Sequence, residues 1–339
     1  MHPEDKGLER KIGSESHNVH LVSAGDKHKP TAIAPAEMLK PLDPLIAAGL
    51  EQEHKKTRES LVSLLGEPYF SAPGFILYKG DCLDIFPLMA AGGFEVDLTV
   101  TSPPYNIGKE YEVPLTVPEY VDWCTEWMAG VHSVTGDAGA FWLNLGYLKV
   151  PGKGQCVPIP YLLWDKTDFH LIQEVVWQYG AGVSAKRRLS PRNEKWLFYV
   201  NNGDDYTFNL DDIRDPNVKY PNQKRNGKFR CNPLGKNPSD VWEFPKVTTG
   251  SNRSSKERTG HPAQFPLAVI DRIIKASSNP LGIVLDPFAG SCSAGIAALG
   301  LGRTFVGIEL REDYCELAVQ RYHQFILEKE EADRQACLI

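Results

Sequence analysis

Two rhythms of apolar and polar positions alternate along the chain. Short apolar runs, many of them β-branched or aromatic, at 75–78, 96–100, 139–143, 171–177, 196–200, 283–285 and 304–308 read as strands. Helical spacing separates several of them. It covers 35–65, with a charged middle at 51–56, then 118–134 and 264–277, and an alanine-rich stretch opens after Gly290. Strands alternating with helices predict an α/β fold, doubly wound around a mostly parallel seven-stranded sheet. No internal repeat interrupts the alternation.

The rhythm fails in two places. Residues 1 to about 35 are polar, rich in Lys, His, Gly and Pro, and read as a mobile arm. Residues 203–260 hold many Asn, Pro, Gly, Lys and Arg and few aliphatic side chains. The expected organisation is therefore an N-terminal arm and helical extension over 1–60, a first catalytic part over 61–202, an inserted region over 203–260, and a cofactor-binding part over 261–330.

Composition changes this picture little at the level of the whole chain. With 339 residues, 42% hydrophobic and 24% charged, it matches a soluble globular protein, and a net charge of −6 gives no global sign of a nucleic-acid partner. Charge matters locally. Residues 214–260 hold eleven basic against four acidic side chains, a surplus of seven within an acidic chain. No apolar run is long enough to span a bilayer, and the first residues are too polar for a signal peptide, so neither membrane nor export is expected. Seven cysteines without a C-x-x-C pair argue against a zinc site and a disulfide scaffold, and point to a reducing cytoplasm.

Two stretches hold the candidate chemistry. In T-S-P-P-Y-N, residues 101–106, a strand runs directly into two prolines. Neither can donate a backbone hydrogen bond and each fixes its own φ, so the strand stops in one rigid shape. Taken alone, an ordinary strand end would read the same way. The second stretch, V-L-D-P-F-A-G-S-C-S-A-G over 284–295, is a strand ending at Asp286, a glycine-bearing turn and a helix start. The following strand ends in Glu309, 23 positions after Asp286, close to the roughly 20-residue offset of an acid that accepts from ribose hydroxyls. A P-loop needs Lys after its second glycine, where Ile296 follows Gly295, and a dinucleotide fingerprint needs Gly where Cys292 stands. A cofactor with a ribose but no phosphate remains, and S-adenosylmethionine fits; a plain strand–turn–helix crossover is the alternative.

Together, D-P-F-A-G-S at 286–291 and T-S-P-P-Y-N at 101–106 resemble the amino-group DNA methyltransferases of bacterial restriction–modification systems, which methylate adenine N6 or cytosine N4. The catalytic motif precedes a variable region and then the cofactor motif, which resembles the β arrangement of that family. The resemblance spans about 75–325 and includes G-D-C-L at 80–83, P-R-N-E-K-W at 191–196, H-P-A-Q-F-P at 261–266 and V-G-I-E at 306–309. One departure is Cys292, where many relatives have a small residue, often Gly; altered packing beside the cofactor is expected there.

The resemblance implies a Rossmann-like methyltransferase fold with a target-recognition region at 203–260. It also implies S-adenosylmethionine as cofactor, double-stranded DNA as substrate, no metal, a possible cognate restriction endonuclease, and a monomer or homodimer in a bacterial cytoplasm. In such enzymes the proline loop holds a base swung out of the duplex. Ser102 Oγ and the Pro103 carbonyl would accept hydrogens from its amino group, Pro104 would stiffen the loop, Tyr105 would offer a stacking face and Asn106 would fix the loop. The cofactor would lie against Asp81 and Cys82 at its adenine, Glu309 at its ribose, the turn of Asp286, Pro287, Phe288, Ala289, Gly290 and Ser291, and Thr101. His261, Pro262, Ala263 and Phe265 would meet its methionine end. For Asp81 a helix N-cap, and for 261–265 a proline-bounded helix start, are the plain alternatives.

DNA would be gripped by Lys224, Arg225, Lys228, Arg230, Lys236, Arg253, Lys256 and Arg258, with Tyr220, Asn222, Gln223, Asn226 and Asn232 able to read base edges. Cytosine-C5 chemistry would need a nucleophilic Cys beside a Pro, and no Pro-Cys pair occurs. Ser102 stands where adenine-N6 relatives usually carry Asp, so the resemblance implies cytosine N4, with adenine N6 as the alternative. Two other classes remain: an S-adenosylmethionine-dependent enzyme acting on RNA or a small molecule, and a catalytically silent DNA-binding module.

Overall fold

Proline and aspartate decide where the first helix starts. Helical spacing from Pro35 predicts an earlier start, but α1 runs Pro44–Leu65, with Pro44 in its first turn and the Asp43 side chain accepting from the Leu45 N–H at 2.8 Å. The computed structural model describes residues 35, 37–109, 112–180, 182, 184–247, 257–259 and 263–336. Of the expected site residues, His261, Pro262, Arg253 and Lys256 lie outside these.

The elements after α1 are β1 (Phe70–Ala72), β2 (Phe75–Lys79), α2 (Cys82–Ala91), β3 (Val96–Thr101), α3 (Val117–Ser133), β4 (Thr135–Leu145), β5 (Tyr147–Val150), β6 (Gly154–Pro158), α4 (Pro160–Leu163), β7 (His170–Gln178) and β8 (Asn193–Val200). They continue with β9 (Lys224–Arg225), β10 (Lys228–Phe229), β11 (Val241–Glu243), α5 (Leu267–Ser277), β12 (Ile283–Asp286), α6 (Ser293–Gly300), β13 (Thr304–Glu309) and α7 (Glu312–Ala336). α5 starts three residues later than its spacing predicts, because Pro266 takes the N-cap position.

The main sheet has the order β1-β2-β13-β12-β3-β4-β8-β7-β11. The expected seven strands form its body, and two three-residue strands, β1 and β11, extend the edges. Strands that short leave no periodic trace in a sequence. β2, β13, β12, β3 and β4 run parallel, and β8 runs antiparallel between β4 and β7. Every residue of β13 is buried, as are the first four of β2, which is why they read as nearly continuous apolar runs.

Helices cover both faces. Leu267 and Ile270 of α5, Ile296 of α6 and Phe325 of α7 pack into one core. Leu61 of α1, Phe86 of α2 and Trp127 of α3 pack into the other. The chain therefore leaves β12 toward one face, by α6, and leaves the adjacent β3 toward the opposite face, by α3. Strand ends that diverge this way open a crevice at the carboxyl edge of the sheet, the usual ligand site of such folds. Gly295 keeps α6 tight against the sheet: a Cβ there would stand 2.5 Å from a Phe75 ring carbon.

The inserted region is not separate from this sheet. β11 pairs with β7, and its buried Trp242 stacks at 5.7 Å on Trp142 of β4. Its most exposed part is the β9–β10 ribbon, turned by Asn226 and Gly227 at φ 54° and 77°. This left-handed pair matches the twist of a two-residue hairpin.

Candidate active site

Both sequence stretches end in the crevice. The last residue of β3, Thr101, is fully buried and donates from Oγ1 to Asp286 Oδ1, the last residue of β12, at 2.6 Å. The same oxygen accepts the Phe288 N–H at 3.1 Å, which bends the chain into the turn. Thr101 thus stands behind Asp286 and does not line the open space. Burial pushes the Asp286 carboxyl up to about 7, against the pull of the Thr101 hydroxyl and the Phe288 amide. Glu309 closes the other side of the turn. Its carboxylate accepts from the Gly290 N–H at 2.8 Å and from the Arg311 N–H at 2.9 Å, and burial raises its pKa as well.

An open cleft of about 790 Å³ lies over these groups. Asp81, Cys82, Ala263, Phe265, the turn from Asp286 to Ser291, and Glu309 line it. Ser102, Pro103, Pro104 and Tyr105 line the same space. The structure thus gathers every described catalytic and cofactor candidate except Thr101 around one space. Asp81 also caps α2, accepting the Leu83 N–H at 3.0 Å, so the plain alternative and the site position coexist.

The proline loop is held from several sides. The Pro104 carbonyl accepts from the Tyr120 hydroxyl at 2.9 Å, while no described residue donates to the Pro103 carbonyl. Asn106 adopts φ 56° and pairs with both the N–H and the carbonyl of Leu115, fixing the loop as expected. Glu112, which the sequence did not single out, accepts from the N–H groups of Tyr105, Ile107 and Lys109. Nothing in its spacing marks it. The turn has a comparable support in Arg321 of α7, wholly buried, which donates to the Ser291 carbonyl at 2.8 Å and to Ser293 Oγ at 2.9 Å. Cys292 sits fully buried at φ 52°. A left-handed backbone explains why a glycine suits this position, and a thiol is tolerated as a small apolar group.

The DNA candidates separate. Lys224, Arg225, Lys228 and Arg230 are exposed on or beside the β9–β10 ribbon, and Lys224 lies 4.6 Å from the Phe229 ring centre. The Asn-Gly turn was a legible hairpin signal inside a segment otherwise read by charge. Lys236 is exposed but pairs with Asp215 at 3.0 Å. Arg258 lies instead on the wall of the cleft. The cleft also has basic and aromatic lining outside the quoted motifs: Lys246 bonds Glu194 at 2.6 Å and sits 3.8 Å above the Tyr179 ring.

A crevice at the carboxyl ends of the strands, lined by the turn after β12 and the proline loop after β3, is where folds of this kind bind ligands. Comparison with known proteins narrows the class. Residues 96–320 match the DNA methylase family of N6/N4 methyltransferases. Over 257 residues the chain is 60% identical to the type II methyltransferase M.ScaI of Streptomyces caespitosus, covering 76% of this chain and 84% of that one. Among solved structures, the cytosine-N4-specific PvuII DNA methyltransferase aligns with a TM-score of 0.59 at 16% identity, over 78% of this chain and 95% of its own. The M1.HpyAVI complex with S-adenosylmethionine aligns at 0.51 and 23%, over 73% and 98%. At these identities the structural likeness is one of fold. The chain belongs to the DNA methylase family and is a type II DNA methyltransferase of the N6/N4 kind.

The raised Asp286 pKa has a measurable consequence. A buried acid whose folded pKa exceeds its ordinary value of 3.8 leaves the native state holding more protons than the unfolded one up to about pH 7. Its contribution to stability therefore falls as pH rises from about 3.8 to about 7 and is flat above. Denaturant midpoints of ligand-free wild type and Asp286→Asn should converge toward acid pH and separate across that window, with the wild type losing ground. Parallel curves would mean the carboxyl ionises normally.

Proposed function

We propose that this enzyme transfers the methyl group of S-adenosylmethionine to the exocyclic N4 of a cytosine swung out of duplex DNA. The observation that carries this reading is Ser102 beside a Pro103 carbonyl to which no described residue donates, in a cleft also lined by a turn and strand end with two buried carboxyl groups. Asp286 and Glu309 are only 4% and 8% exposed, and among the described residues neither has a basic side chain in ion-pair contact. A cationic sulfonium ligand with a ribose suits that donor set, since its charge offsets their desolvation.

S-adenosylmethionine supplies an electrophilic methyl group when bound. The chain's own residues do the rest. Glu309 accepts from the ribose hydroxyls, while Asp286 and Asp81 supply negative charge along the same wall. The Tyr105 ring takes the extruded base on its face, offsetting part of the unstacking penalty of a few kcal/mol. An exocyclic amine is a poor nucleophile because its lone pair is delocalised into the ring. Ser102 Oγ and the Pro103 carbonyl accept its hydrogens, which favours the rehybridised amine able to attack in line. This is positioning and electrostatic stabilisation, without a covalent enzyme intermediate.

The β9–β10 ribbon supplies the grip on DNA. A two-stranded ribbon fits the major groove, and Lys224, Arg225, Lys228 and Arg230 place charge beside phosphates. Neutralising all four should lower the slope of log affinity against log salt by about one unit per lost phosphate contact, across all sequences. An unchanged slope would place the grip elsewhere.

Nucleoside mass spectrometry of plasmid DNA from cells expressing the protein tests the chemistry. N4-methylcytosine is the expected product, and Ser102→Ala should slow methyl transfer more than it weakens DNA binding. N6-methyladenine as the only product would overturn the base assignment and leave the enzyme class standing.

A further inference from the structure

Ser102 raises a chemical difficulty that the hydrogen bonds around it resolve. A carboxylate can only accept a hydrogen bond, whereas a serine hydroxyl both donates and accepts. A freely rotating Ser102 could therefore turn its own hydrogen toward the incoming base. That would oppose the amino hydrogens, or engage the neighbouring ring nitrogen, when a pure acceptor is needed.

We infer that Asn144, acting through the Tyr105 hydroxyl, fixes the polarity of Ser102 so that it presents only lone pairs to the target amine. Asn144 is a positioning residue for the transfer. The inference rests on the proposed role of Ser102 as an acceptor for an exocyclic amine.

The direction of each bond follows from its neighbours. Asn144 lies fully buried near the end of β4, and its Nδ2 donates to the backbone carbonyl of Lys195 on β8 at 3.3 Å. A carbonyl cannot donate, so the amide nitrogen faces Lys195 and Oδ1 faces the cleft. Oδ1 in turn can only accept. The Tyr105 hydroxyl, 2.6 Å away, must commit its single hydrogen there. What remains on the Tyr105 oxygen is acceptor capacity, and Ser102 Oγ donates to it at 3.0 Å. The one hydrogen on Ser102 is then engaged, and its lone pairs face the space lined by Pro103 and Tyr105.

Two further features keep this chain in one state. Burial holds the Tyr105 phenol well above its ordinary pKa, with the Glu194 carboxylate adding to the effect, so the hydroxyl retains its hydrogen. Gly146 lets the ring sit flush against β4: a Cβ there would stand 2.8 Å from Tyr105 Cε2. The chain also ends on an amide, which has no basic site for a proton. It orients Ser102 and does not conduct the proton released from the methylated amine, which must leave to solvent. A neutral serine is thereby given the acceptor-only character that a carboxylate has inherently.

Single-turnover methyl transfer by the full-length protein separates this role from a structural one. Tyr105→Phe keeps the stacking ring and removes only the hydroxyl. It should slow transfer about tenfold, with cofactor and DNA affinities unchanged. Asn144→Ala should slow transfer comparably, and the Tyr105→Phe/Asn144→Ala double variant should be no slower than either single one. In a Ser102→Ala background Tyr105→Phe should have no further effect, a comparison that does not need Asn144→Ala to fold. Wild-type transfer by Tyr105→Phe, or losses that multiply in either double variant, would overturn the inference. Rates are read on whichever amino-methylated base forms. N6-methyladenine would thus remove the cytosine assignment while the coupling still decides the role of Asn144.

Discussion

The hydrogen bond from Thr101 to Asp286 is the contact on which the site depends. It joins buried residues 185 positions apart, at the carboxyl ends of adjacent parallel strands. Beyond it the chain diverges: Thr101 leads into the proline loop, Asp286 into the cofactor turn. A shift between β3 and β12 would move the two walls of the cleft together. In the proposed reaction the turn holds the methyl donor and the loop the base, so their separation is the quantity that in-line transfer needs held constant. Packing sets that separation, with helices diverging to both faces of the sheet. The hydrogen bond fixes it at the point of use.

The same contact shapes the electrostatics. Asp286 and Glu309 are buried acids with no basic partner among the described residues, an arrangement that disfavours their charged forms. It becomes favourable when a cation occupies the space. The Thr101 hydroxyl and the Phe288 amide tilt Asp286 toward ionisation without fully offsetting burial, leaving the group poised near neutrality. On the proline loop the polarity is reversed in kind: Ser102 and the Pro103 carbonyl are neutral acceptors. One wall is therefore suited to a positive donor, the other to the hydrogens of an amine.

Much of this was legible in the sequence, for a physical reason. Strands buried on both faces read as nearly continuous apolar runs, so β2 and β13 announce themselves, while β3 shows as an alternating β-branched run, and the residues after such strands fall where ligands bind. Contiguous motifs such as 101–106 and 286–291 carry their own geometry. The supports do not. Glu112, Asn144 and Arg321 each reach the site singly, from a loop, a strand and a distant helix, and a lone residue without periodic context has no sequence signature. Helix starts moved where prolines intervened, at Pro44 and Pro266, because ring geometry overrides apolar spacing. Cys292 showed its reason only in three dimensions, as a side chain held at positive φ.

Thr101→Val is the most direct probe of this account, since it keeps the shape of the side chain and removes only the hydroxyl. Single-turnover methyl transfer and cofactor affinity should be measured together across pH. Loss of the donor should slow transfer about tenfold, as the walls lose their tie, and should move the rise of cofactor affinity to higher pH, as Asp286 ionises less readily. A variant with the wild-type rate and the wild-type pH profile would contradict the claim that this contact sets the site.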